Sequence, residues 1–137
     1  LHGRESQGDI AAMRAATGLR ILKAAGVSDR ADLAALPPLA GAADLVLVDA
    51  KPPKDAAYPG GHGRPFDWTI LSGLDPALPF MLSGGLEAGN VGAAIRTMRG
   101  YGLALAGVDV SSGVESAPGV KDIARISAFV AAARAAG

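Results

Sequence analysis

A carboxylate at the end of an apolar run is a candidate proton donor. In Leu45-Val46-Leu47-Val48-Asp49-Ala50-Lys51, four apolar residues lead to Asp49. That places the carboxyl at the rim of a low-dielectric core, which disfavours its charged form and suits a general acid. Lys51 stands two residues on, so a plainer role stays open, in which Asp49 pairs with Lys51 or caps a loop.

Two other stretches offer hydrogen-bond donors without charge. Leu82-Ser83-Gly84-Gly85-Leu86 leads into Asn90-Val91, and Gly107-Val108-Asp109-Val110-Ser111-Ser112-Gly113-Val114-Glu115 leads into Pro118-Gly119. Glycines and small residues where a strand turns into a helix expose backbone N–H groups, and such a turn binds phosphate without basic side chains. Either stretch alone is a weak signal. Two successive strand ends of this kind match the phosphate grip that many barrels form after their last two strands. The plainer role for Ser111 and Ser112 is helix capping. His2 precedes Gly3 at the end of an apolar stub and either faces a site or is structural. Gly60, Gly61 and Gly63 surround His62 in a long loop that ends near Phe66-Asp67-Trp68. A loop of that length and glycine content reads as a lid or, more plainly, as a solvated hinge with no ligand role. Trp68 reads as a packing residue, and Lys121, Arg125 and Arg134 as the solvated face of a last helix.

Positioning these groups requires a sizeable fold. The chain has 137 residues, of which 50% are hydrophobic, enough for one domain with a real core. Thirteen basic and thirteen acidic residues cancel to a formal charge of zero, which argues against nucleic-acid binding by bulk charge. The absence of cysteine excludes disulfides, thiolate zinc sites and cysteine nucleophiles within these residues. No metal-binding motif stands out, and no apolar run approaches the ~20 residues that span a bilayer.

Short continuous apolar runs at 19–25, 44–49, 79–83 and 105–110 read as strands covered on both faces, as in parallel sheets. Leu1-His2-Gly3 reads as the end of a further strand that begins before Leu1, which makes five. Helices are expected at 7–16, at 29–36 with Ser28 as cap and Pro37-Pro38 as stop, at 90–99, and at 118–136 with Ile123, Ile126, Phe129 and Val130 on the packed face. Alternating strands and helices give an α/β class with parallel strands. Polar strand ends at Asp49, Ser83 and Asp109 favour the (β/α)8 barrel family over a doubly wound sheet. A closed barrel typically needs ~200 residues or more, so the expectation is part of one.

Taken in order, Leu1-His2-Gly3, Leu47-Val48-Asp49-Ala50-Lys51, Gly60-Gly61-His62-Gly63 with Phe66-Asp67-Trp68, Ser83-Gly84-Gly85-Leu86 with Asn90-Val91, and Val108 through Glu115 with Pro118-Gly119 and Lys121-Asp122 resemble the phosphoribosylanthranilate isomerases of tryptophan biosynthesis. The resemblance covers essentially the whole chain. It implies a single (β/α)8 TIM-barrel domain whose C-terminal part, from the end of strand four through helix eight, occupies residues 1–137. It also implies a cofactor-free Amadori rearrangement of a phosphorylated aminoaldose to an aminoketose. Asp49 takes the family's general-acid position, and His2 and Asp109 those that face the substrate. The phosphate grip falls on Gly84, Gly85, Ser111, Ser112 and Gly113. The family's general base is a cysteine of the first strand, so the base is expected before Leu1. His62 and Ala50 depart from the small hydroxyl residue and the threonine common at those places. The implied partner is a small phosphorylated molecule, with no nucleic acid, membrane or metal. The implied protein is a cytoplasmic monomer or homodimer. Another phosphate-binding barrel isomerase or epimerase, or an incomplete half-barrel, is the alternative.

Overall fold

In the computed structural model, residues 1–51 and 66–137 are described. The glycine-rich stretch around His62 lies outside them. The sheet has four parallel strands in the order β1-β2-β3-β4: β1 (Leu22–Val27), β2 (Leu45–Ala50), β3 (Phe80–Ser83) and β4 (Leu105–Val108). The order follows the chain without reversal. A doubly wound sheet reverses direction at its centre, whereas a barrel does not. The α/β class and barrel-like winding expected from the strand ends are therefore present.

Leu1 is not part of an assigned strand, yet it bonds like one. Its nitrogen donates to the Leu22 carbonyl at 2.8 Å, and its carbonyl accepts from the Ala24 N–H at 2.7 Å. That pair brackets Lys23 as a single parallel bridge does. The expected fifth strand is thus one residue of pairing along the edge of β1.

Burial alternates along the strands. Val46, Val48, Ala50, Phe80 and Leu82 are buried, while Leu45, Leu47, Asp49, Met81 and Ser83 are half-buried. The expectation of two covered faces is met on only one. Right-handed crossovers that always advance in the same direction bring their helices to the same face. The residues buried there include Leu36, Leu71, Val91, Ala94, Ile95, Met98 and Phe129.

Helix α1 (Gln7–Thr17) begins as its residues dictate, with Ser6 and Asp9 forming a reciprocal capping box. The expected helix at 29–36 differs. Ser28 does not cap; Asp29 accepts from the Ala31 N–H at 2.8 Å, and a 3-10 turn spans Ala31–Ala35. Pro37 and Pro38 then open α2 (Leu36–Ala42) rather than stop a helix. First-turn N–H groups have no intrahelical acceptor, so proline loses nothing there. Helix α3 (Val91–Gly100) buries the anticipated stripe of Val91, Ala94, Ile95 and Met98.

The last helix, α4 (Ile123–Ala136), starts later than expected. Residues before it form a hairpin of β5 (Glu115–Ala117) and β6 (Val120–Lys121), turned by Pro118 and by Gly119 at φ +80°. Asp122 then caps α4 by accepting from the Arg125 N–H at 3.0 Å. Its packed face also differs. Phe129 is buried and Ala132, Ala133 and Ala136 lie against the core, while Ile123 is 81% exposed and Ile126 and Val130 are also exposed.

Candidate active site

The carboxyl ends of β2, β3 and β4 converge on one hollow. The ladder pairs Asp49 with Ser83. Between β3 and β4 the register shifts, from Phe80 opposite Leu105 to Met81 opposite Gly107. The extra residue is decisive, because side chains alternate faces and a slip of one would turn Asp109 away. With the shift, Leu82 faces Val108, and Asp109 comes level with Ser83. The Ser83 hydroxyl donates to Asp109 Oδ2 at 2.9 Å.

The hollow has a volume of about 280 Å³ and is lined by Asp49, Ala50, Ser83, Gly84, Gly85, Leu86, Asp109, Val110, Ser111, Ser112 and Gly113. It gathers every expected site residue except His2. His2 lines a separate hollow of about 220 Å³ with Leu1, Leu22, Ala24 and Leu47. Leu47 is two residues before Asp49 on β2, so both hollows open on the same, less covered sheet face.

Asp49 is less enclosed than its apolar run suggests. Its side chain is 35% exposed, and the Lys51 ammonium stands 3.4 Å from Oδ2. Residues i and i+2 of a strand share a face, so the pair follows from the spacing. The two roles weighed for Asp49 are not exclusive: it pairs with Lys51 and it lines the cavity.

Two glycines fix how closely the loops approach. Gly84 has φ +93°, and any side chain there would overlap the Ala50 carbonyl oxygen. A side chain on Gly113 would overlap the Leu86 carbonyl oxygen. The three strand ends are thus locked together through backbone. Asn90 braces the middle one, donating to the Gly85 carbonyl at 2.9 Å and accepting from the Glu87 N–H at 2.8 Å. Among the described residues, no acceptor takes the N–H groups of Gly84, Gly85, Ser112 or Gly113. Ser111 and Ser112 do not cap a long helix; Ser112 opens a single 3-10 turn at Ser112–Val114.

Lys121 is placed differently from the solvated helix face expected of it. It sits on β6, and its Nζ donates to the Ser111 carbonyl at 2.9 Å, to Ser111 Oγ at 3.1 Å and to Glu115 Oε1 at 2.6 Å. The Lys121 ammonium and the Gly119 N–H hold the Glu115 carboxyl below its ordinary range. Arg125 Nη1 adds a bond to the Glu115 carbonyl. Among the described residues, no group of three or more His, Cys, Asp or Glu side chains could hold a metal ion. No helix among them is long and apolar enough to cross a membrane.

A family description, N-(5'-phosphoribosyl)anthranilate (PRA) isomerase, matches residues 1–132. The chain belongs to the PRA isomerase family. The family's namesake from Nitrobacter hamburgensis is 59% identical over 136 residues, which are 99% of this chain and 58% of that protein. The crystal structure of the phosphoribosylanthranilate isomerase from Thermotoga maritima superposes with a TM-score of 0.75 at 33% identity, covering 98% of this chain and 60% of that one. A second isomerase structure, in complex with reduced 1-(o-carboxyphenylamino)-1-deoxyribulose 5-phosphate, has a TM-score of 0.72 at 29% identity and covers 98% of this chain and 58% of that one. The chain therefore spans under two thirds of the length of these PRA isomerase relatives.

Three residues at or beside this candidate site have partners that sequence spacing does not reveal. Ser83 was visible as a strand end but had no partner until the register shift supplied Asp109. Glu115 and Lys121 were legible in principle, because Pro118-Gly119 between two short β-compatible segments is a turn signal. The apolar spacing of the following helix masked it.

Proposed function

We propose that the protein is a phosphoribosylanthranilate isomerase, which converts N-(5-phosphoribosyl)anthranilate to 1-(2-carboxyphenylamino)-1-deoxyribulose 5-phosphate. The observation that carries this reading is one cavity holding both a strand-end carboxylate, Asp49, and two glycine loops with free N–H groups. The reading assigns β1–β4 to four successive βα units of a (β/α)8 barrel, running from the end of its fourth strand to its eighth helix. It carries with it a cytoplasmic enzyme, monomeric or homodimeric.

The substrate's phosphate would sit against Gly84, Gly85, Ser111, Ser112 and Gly113. Backbone donors at strand ends favour an anion without a net basic protein. Asp49 would give a proton to the ring oxygen as the C1–O bond breaks and the nitrogen lone pair forms C1=N. Loss of the C2 proton to a base then gives the enolamine, which becomes the ketose. These residues hold no cysteine, and the base is assigned to none of them. Asp109, held by Ser83, and His2 would contact the sugar and its substituent.

Turnover of phosphoribosylanthranilate by the full-length protein tests the reading. Asp49→Asn, which keeps the shape and removes the proton donor, should lower kcat by roughly 10²-fold or more. Near-wild-type turnover in that variant would reject the acid assignment.

A further inference from the structure

We propose that Lys121 is a positioning residue that makes the Ser111 hydroxyl a hydrogen-bond donor for the substrate's phosphate. The inference rests on the phosphate grip proposed above. An ammonium has three protons and no acceptor. All three are matched here: the Ser111 carbonyl at 2.9 Å, Ser111 Oγ at 3.1 Å and Glu115 Oε1 at 2.6 Å. Lys121 therefore has no proton left for a ligand and acts through what it holds.

What it holds is the polarity of a hydroxyl. A serine oxygen can accept twice and donate once. Because Ser111 Oγ accepts from Lys121, its own proton must point away from the ammonium, and Ser111 lines the cavity. Ser83, a second serine of the three that line the cavity, is committed the opposite way, since its hydroxyl donates to Asp109 Oδ2 at 2.9 Å. The two serines thus divide the work. Ser83 fixes a carboxylate, and Ser111 is left to donate to an anion.

The hairpin is the device that puts Lys121 there. Glu115 and Lys121 face each other across the β5–β6 ladder, and Glu115 also accepts from the Gly119 N–H at 3.0 Å. The ammonium is thereby anchored against Ser111 by a short hairpin, and Lys121 itself does not line the cavity.

A double-mutant cycle on KM and kcat for phosphoribosylanthranilate, in the full-length protein, tests this. Ser111→Ala and Lys121→Met should each raise KM roughly tenfold, the size expected for one hydrogen bond to a charged group, and leave kcat within about threefold. The double variant should lie within about threefold of either single one, because the lysine acts through the serine. Additive effects, near about a hundredfold in KM, would show a direct or long-range charge role and overturn the inference. A fall in kcat at unchanged KM would overturn it too. If Lys121→Met does not fold, Lys121→Gln takes its place in the cycle. A wild type without turnover overturns the proposed function and this inference with it, whereas wild-type turnover with additive variants overturns the inference alone.

Discussion

Gly84 and Gly85 are neighbours with positive φ, of +93° and +62°, but they are constrained by different things. Nothing lies within 4 Å of the side chain that Gly85 lacks, whereas Gly84 abuts the Ala50 backbone. Gly85→Ala should therefore show only the cost of a left-handed alanine, about 1–2 kcal/mol. Gly84→Ala must also push a strand end aside, for a total of about 2–4 kcal/mol, since backbone cannot rotate out of the way as a side chain can. Chemical denaturation of both variants measures the difference, and equal losses would mean that the Gly84–Ala50 approach is not tight in solution. The same substitution should raise KM for the phosphorylated substrate, because moving Ala50 also moves the loop that carries the N–H donors.

At the scale of elements, the N-terminal segment is pinned to β1 by one buried lysine. Lys23, 3% exposed, pairs with Glu5 Oε2 at 2.9 Å and donates to the Gly3 and Ala24 carbonyls at 2.9 Å each. Lys23, with backbone N–H groups of Glu5 and Gly3, pulls the Glu5 carboxyl from 4.5 to about 2. A depressed carboxyl stabilises the fold above its unfolded pKa and loses that contribution as pH falls through the folded one. Stability should therefore decline from near pH 4.5 toward pH 2, with Asp9, lowered by Ser6, and Glu115 contributing in the same direction. Glu5→Gln should lower the thermal midpoint at pH 7 and flatten that acid limb; an unchanged slope in calorimetry across this range would reject the pairing. Elements with local signals were legible in the chain. The α3 stripe and the run into Asp49 each rest on residues close together in the chain. What escaped depends on distant partners: the β3–β4 slip, the hairpin before α4, and Lys121 beneath Ser111. The proline pair misled because the same residue stops a helix in its interior and suits its first turn.

For the molecule as a whole, the sheet has two unequal faces. Phe80, Val46, Val48 and Leu82 are fully buried against the helices. On the other face Leu22 is 40% exposed, and Leu47 and Met81 are only half-buried. Burial sets the cost of truncation, because an exposed methyl group leaves neither a cavity nor much lost transfer energy. Phe80→Ala should therefore cost about 3–5 kcal/mol and Leu47→Ala less than about 2 kcal/mol when the 137-residue chain is unfolded by denaturant. The comparison also reports on what covers the open face. If Leu47→Ala proves as costly as a core truncation, Leu47 is buried in solution, and a second copy of the chain is then the partner to look for by concentration-dependent sedimentation. If Leu47→Ala costs little, the face stays open in this chain in solution. That result would fit the barrel assignment, in which Leu47 and Met81 face the barrel interior and Val46 and Phe80 its helical shell.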